Sequence, residues 1–151
     1  LEEILVADTR KPFLADEQYH FSISHCGNFA AAIVSSDQRV GIDIELVTPR
    51  IEKISHKFLS LEEIQFLQQW QVFDKLQLEL KTVIWSAKEA MFKWYSDGQV
   101  DFREHMQLNG PVKFASNEWL SLPFLFRKND LQPLSLHARI FEPLVLAYLH
   151  T

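Results

Sequence analysis

Trp85-Ser86-Ala87-Lys88-Glu89-Ala90-Met91-Phe92-Lys93 is the stretch on which the reading of this chain turns. Ala, Met, Lys and Glu are good helix formers, and neither Gly nor Pro interrupts them. Gly98, a few residues on, is a stop signal. Residues four apart share a helix face, so Glu89 and Lys93 lie side by side. Trp85 and Phe92 are placed to anchor the helix in a core. Alone, the stretch describes an amphipathic helix with a surface ion pair, a common feature that contributes little. A second stretch upstream gives it another meaning.

Val40-Gly41-Ile42-Asp43-Ile44-Glu45-Leu46-Val47 reads as a strand. Successive side chains alternate faces, so Asp43 and Glu45 share one side with Gly41 and Val47, and the aliphatic residues take the other. Two acids spaced about 7 Å along one face repel unless water or a cation separates them. That face is either open to solvent or part of a site. Gly41 weakens a strand and marks the close approach of a ligand or another backbone.

Outward from these two stretches the pattern is legible except over residues 1–20, where Pro12 breaks whatever surrounds it. Phe21 to Ser24 alternates as a half-buried strand, His25-Cys26-Gly27-Asn28 reads as a turn, and Phe29 to Val34 as a buried strand. Past Pro49, Arg50 to Phe58 forms a short helix with Ile51, Ile54 and Phe58 on one face. Ser60-Leu61-Glu62-Glu63 is a capping box opening a helix to about Trp70. The long helix runs from about Lys75 to Tyr95. Val100 to Leu108, Leu122 to Arg127, Leu134 to Phe141 and Leu144 to His150 read as strands, with turns at Asn109-Gly110-Pro111 and Lys128-Asn129-Asp130. Strands, then helices, then strands make an α+β domain, with an antiparallel sheet packed against a long helix.

The composition agrees with one domain able to bury a core: 151 residues, 47% hydrophobic and 23% charged, with 12 Phe and 4 Trp. A net charge of -5 without a basic run argues against nucleic acid. One cysteine, Cys26, excludes an internal disulfide and suits the cytoplasm. No apolar run is long enough for a membrane span.

Asp43, Glu45 and Glu89 converge if the long helix crosses the sheet at the acidic strand. Three carboxylates together call for a hard cation. Mg²⁺ takes oxygen ligands, keeps some waters, and is commonly completed by substrate phosphates. Lys93, with Lys88 beside Glu89, is placed to face such phosphates, and His25 either donates to one or remains a loop histidine. The residues thus suggest metal-assisted chemistry on a phosphate-bearing substrate.

The two stretches together resemble the paired motif of the 4′-phosphopantetheinyl transferases. Ser22-Ile23-Ser24-His25 is similar to that family's phosphate-binding Ser-His segment, and Lys11-Pro12 to its Gly-Lys-Pro motif, with Arg10 in place of the glycine. The resemblance runs from about Lys11 to Leu108. It implies that family's fold and an enzyme of the holo-[acyl-carrier-protein] synthase type. Such an enzyme moves the 4′-phosphopantetheine arm of coenzyme A to a serine of an apo acyl or peptidyl carrier protein, releasing 3′,5′-ADP, as in fatty acid biosynthesis. It further implies that Asp43, Glu45 and Glu89 bind Mg²⁺, that Glu89 is the base, and that Lys93 and Lys88 face the pyrophosphate. Ser24 and His25 would hold phosphate oxygens, and Lys11 would reach the 3′-phosphate. The position of the Ser-His segment before Gly41 resembles the family's long, two-half type. Residues 1–38 are then expected to end the first half and 39–151 to form the second. With Leu1 rather than Met at the start, part of the first half is expected to be absent. The alternatives are a non-catalytic binding module of the same fold and another Mg²⁺-dependent phosphoryl-group enzyme; no Walker or kinase loop supports the latter.

Overall fold

A computed structural model of the chain describes residues 4–6, 12–15, 18–69, 73–114 and 117–151. The order is β1 (Ile4–Val6), β2 (Pro12–Leu14), β3 (His20–Cys26), β4 (Phe29–Ser35), β5 (Val40–Leu46), α1 (Arg50–Phe58), α2 (Leu61–Gln68), α3 (Asp74–Tyr95), β6 (Met106–Leu108), β7 (Leu120–Phe126), β8 (Gln132–Ile140) and β9 (Leu144–His150). β5, β9, β8, β7 and β6 form one five-stranded sheet in that spatial order, and every neighbouring pair is antiparallel. The α+β architecture read from the sequence is therefore the one observed.

Alternation along the strands explains the packing. Leu120, Leu122, Phe124 and Phe126 on β7, Leu134, Leu136 and Ala138 on β8, and Val145, Ala147 and Leu149 on β9 are all buried. They form one sheet face, since side chains two apart share a side. Against that face α3 lays Leu80, Val83, Ile84, Ala87, Ala90, Met91 and Trp94, spaced as a helix stripe should be. Trp85 and Phe92, expected as anchors, are half-buried and pack on this core beside Phe102, at ring distances of 5.5 and 5.8 Å.

At its β5 edge the sheet meets α3 unusually closely. A Cβ on Gly41 would lie 2.0 Å from the Ala90 carbonyl oxygen and 2.9 Å from Trp94 Cβ. The absence of a side chain at Gly41 is what allows the helix backbone to cross the strand there. The close approach expected at this glycine is thus made by another backbone.

The other side of β5 is joined to the β3–β4 hairpin by side chains rather than by a ladder. Ile42 N donates to Ser22 Oγ at 3.1 Å and Ile44 N to Ser24 Oγ at 3.2 Å. Two serines on one strand face thereby satisfy two amides that an edge strand would leave open.

Two boundaries differ from the sequence reading. His25 and Cys26 belong to β3, whose register continues to Cys26 opposite Phe29. The turn is only Gly27-Asn28, with Gly27 at φ +57°, because a two-residue hairpin loop matches the twist of its strands and needs positive φ. The strand expected from Val100 is confined to Met106–Leu108. Asp101 Oδ1 accepts the Arg103 and Glu104 amides at 2.8 and 3.0 Å, and this side-chain turn replaces an extended chain.

Candidate active site

The crossing at Gly41 decides what lies beside what. Asp43 is two residues on from Gly41, on the same strand face. Ser86, Glu89 and Lys93 flank Ala90 on α3, at spacings that share a helix face. Asp43 is only 4% exposed, so the solvent-face reading of the strand acids does not hold for it. Ser24 Oγ donates to its Oδ1 at 3.0 Å, Ser86 Oγ to its Oδ2 at 3.0 Å and to its backbone oxygen at 3.2 Å, and Lys93 Nζ to Oδ1 at 2.7 Å. Glu45, next on the same face, is held by Trp85 Nε1 at 3.0 Å on Oε1, with the Cys26 thiol 3.8 Å from Oε2.

The expected pairing of Glu89 with Lys93 along the helix is not what forms. Lys93 reaches across to the strand and pairs with Asp43. Glu89 makes no salt bridge among the described residues, yet it feels its neighbours. Burial raises its pKa from 4.5 to about 7, aided by the charges of Asp43 and Glu45 and opposed by Lys93. Burial also raises Asp43, against the opposing effects of Lys93, Ser24 and Ser86. Glu45 is raised by burial first and then by Asp43. The three carboxylates therefore form one electrostatic unit, short of positive charge. No three His, Cys, Asp or Glu side chains among the described residues are gathered closely enough to hold a metal ion as they stand. The ammonium of Lys93, paired with Asp43, offsets part of their charge.

Lys88 is not brought to this cluster. Its side chain is 0% exposed and donates to Phe58 O at 2.6 Å, Glu63 Oε2 at 2.7 Å and Phe102 O at 2.9 Å. Burial pulls its pKa down, against Glu63. Glu63 also completes the capping box with Ser60 and accepts the Leu108 amide at 3.0 Å. Lys88 thus fastens α3 to the end of α1, to the start of α2 and to the turn before β6. A phosphate-facing role does not fit an ammonium whose three protons are all engaged internally. Ser24 is 5% exposed, with its hydroxyl both donating and accepting inside the protein. His25 is exposed on β3. Lys11 lies outside the described residues.

Sequence reasoning overlooked Ser86 and Trp85 as partners of Asp43 and Glu45. The signal for Ser86 was its place three residues before Glu89, on the site-facing stripe. Beside Glu45 and Trp85 a cleft of about 200 Å³ opens, lined also by Thr48, Arg50, Ile51, Ile54 and Thr82.

Residues 39–147 match the model of the 4′-phosphopantetheinyl transferase superfamily, and the chain belongs to that superfamily. It is 35% identical over 94 residues to enterobactin synthase component D of Salmonella typhi, covering 61% of this chain and 38% of that protein. It is 34% identical over 96 residues to the 4′-phosphopantetheinyl transferase AcpT of Escherichia coli (strain K12), covering 62% of this chain and 48% of the relative. The chain thus spans less than half the length of these relatives. No helix among the described residues is long and apolar enough to cross a membrane.

Proposed function

We propose that this chain transfers the 4′-phosphopantetheine arm of coenzyme A to a serine hydroxyl of an apo acyl or peptidyl carrier protein, with Mg²⁺, releasing 3′,5′-ADP. The observation that carries this reading is the placement of Asp43, Glu45, Glu89 and Lys93 around the crossing of α3 over β5, within a chain of the superfamily. The donor set fits the metal. It is all carboxylate, Lys93 offsets only part of its charge, and Mg²⁺ ordinarily takes only one or two protein carboxylates, leaving the rest to water and substrate phosphates. Asp43, Glu45 and Glu89 would hold it, and when bound it would neutralise charge on the diphosphate.

The residues have separable tasks. Glu89, on the α3 face turned toward Asp43 and Glu45, is placed to take the proton from a serine hydroxyl. As the serine Oγ–P bond forms, the bond from phosphorus to the bridging oxygen breaks. The electron pair leaves with 3′,5′-ADP. Lys93, 27% exposed, stabilises that growing charge with the ammonium it now directs at Asp43. Trp85 and Ser86 hold Glu45 and Asp43 in place. His25, exposed on the neighbouring strand, is a candidate donor to a phosphate oxygen.

Mass spectrometry of an apo carrier protein incubated with the chain, coenzyme A and Mg²⁺ tests the reading. Addition of the arm is expected with the native chain and is abolished in Asp43→Ala and Glu89→Ala, both folded by circular dichroism. Transfer that survives either substitution overturns the assignment of those acids. Absence of transfer across acyl and peptidyl carriers overturns the activity.

A further inference from the structure

A buried carboxylate keeps its charge and its orientation only when its oxygens have donors. Asp43 has one hydroxyl on each oxygen, Ser24 from β3 on Oδ1 and Ser86 from α3 on Oδ2, both at 3.0 Å. The two serines are 5% and 0% exposed, so both point inward. Each also has a second tie. Ser24 accepts the Ile44 amide at 3.2 Å, and the single Ser86 proton is shared between Asp43 Oδ2 and the Asp43 backbone oxygen at 3.2 Å.

We propose that Ser24 and Ser86 are positioning residues that clamp the Asp43 carboxylate from opposite sides and fix the plane it presents to a divalent cation, so that Ser24 serves this acid and not a substrate phosphate. The proposal rests on the reading of Asp43 as a cation ligand. An aspartate carboxyl turns within a broad torsional well about its last bond. One short, buried hydroxyl on each oxygen, from elements on either side of β5, removes that freedom. Lys93 cannot do the same, because its long, part-exposed chain adapts to whatever it meets. Partners that orient a metal ligand commonly matter about 10- to 100-fold in metal affinity.

Ser22 supplies an internal control. It lies two residues from Ser24 on the same face and joins β3 to β5 through the Ile42 amide at 3.1 Å. It has no recorded bond to Asp43. A role limited to fastening the hairpin would make Ser22 and Ser24 equivalent, whereas a clamp would set Ser24 and Ser86 apart together.

The test titrates the full chain with Mn²⁺ alone, reading free metal by electron paramagnetic resonance, beside melting temperatures and kinetics at saturating metal. Ser24→Ala and Ser86→Ala are expected to weaken Mn²⁺ binding about tenfold, with the KM for coenzyme A changed less than about twofold. Ser22→Ala is expected to lower the melting temperature and leave Mn²⁺ affinity alone. Ser86→Cys, nearly the same shape but a poor donor, should weaken metal binding in a protein that keeps its fold. Unchanged Mn²⁺ affinity in the Ser24 and Ser86 variants overturns the clamp. So does equal weakening in Ser22→Ala, which would make the effect one of hairpin attachment. A raised KM for coenzyme A in Ser24→Ala at unchanged metal affinity would return that serine to a phosphate. Metal binding is read without turnover. A native chain that binds Mn²⁺ but transfers no arm therefore defeats the proposed activity and not the clamp, and one that binds no Mn²⁺ defeats the clamp.

Discussion

Replacing Glu89 by glutamine should make the metal-free protein more stable at alkaline pH. Glu89 sits among Asp43 and Glu45 in a part-buried position that favours its neutral form, moving its pKa from 4.5 to about 7. At 1.36 kcal/mol per pH unit, holding it ionised in the fold costs about 2–3 kcal/mol, allowing for its partial contact with water. The direction with pH follows from proton counting. Below about 4.5 the group is protonated in folded and unfolded chains alike, and the cost is absent. Between 4.5 and about 7 the unfolded chain releases the proton while the folded chain keeps it, so stability falls as pH rises. Above that both are ionised, and the full cost remains.

Glutamine has nearly the same shape and no charge to titrate. The difference in unfolding free energy between Glu89→Gln and the native protein should therefore be small near pH 4.5 and grow to about 2–3 kcal/mol by pH 8. Urea denaturation followed by tryptophan fluorescence, in the presence of a chelator and across this range, measures it. Taking the difference cancels the groups that do not interact with Glu89, leaving Glu89 and the acids coupled to it, Asp43 and Glu45. Added Mg²⁺ should close the gap by stabilising the native chain and not the variant. A difference that is flat with pH, or that favours the native protein increasingly toward pH 8, would refute the view of Glu89 as a carboxyl short of positive charge.

Gly41→Ala should destabilise by about 2–3 kcal/mol and lower arm transfer, because the added methyl meets the helix backbone and pushes apart the elements bearing Asp43 and Glu89; chemical denaturation and the mass assay check it. Lys88→Met should cost about 3–5 kcal/mol by stranding the buried Glu63 carboxylate and the two carbonyls, read as a denaturation midpoint shift at unchanged slope. Lys93→Ala should lower kcat on the order of a hundredfold while shifting the denaturation midpoint far less than Lys88→Met, and near-normal turnover would leave it a local ion pair.

Much of this was legible in the sequence because it is local. Alternation in Val40 to Val47 placed Asp43 and Glu45 together, helix spacing placed Glu89 with Lys93, and the capping box at Ser60 was written in four residues. What escaped depends on partners distant in the chain. Lys93 turned from its helical neighbour Glu89 to Asp43 on β5, where a buried carboxylate offers a better partner than a helix surface does. The resemblance implied a phosphate contact for Ser24, and strand periodicity, which says only which face a hydroxyl takes, did not reveal Asp43 as its partner. The turn at Asp101 escaped because an aspartate that accepts its own following amides looks, in one letter, like any polar break in a strand.

The contrast between Lys88 and Lys93 carries the argument furthest. Both sit on α3, and each pairs with a carboxylate at 2.7 Å. Five positions on a helix turn a side chain by about 140°, so the two cannot serve one face. Lys88 falls on the stripe with Ile84 and Met91, both in the core. There a charge survives only with a full set of acceptors, and its three protons have Phe58, Glu63 and Phe102. That pair is closed: 0% and 1% exposed, with nothing left to offer. The pair of Lys93 with Asp43 is 27% and 5% exposed, and one hydrogen bond of that ammonium is recorded among the described residues. Under the proposed function it would exchange its carboxylate for a diphosphate without leaving the helix face that holds Glu89. Of two lysines within one short motif, then, the first secures the helix, and the second, part-exposed with Asp43, is the one to which the proposed function gives charge stabilisation.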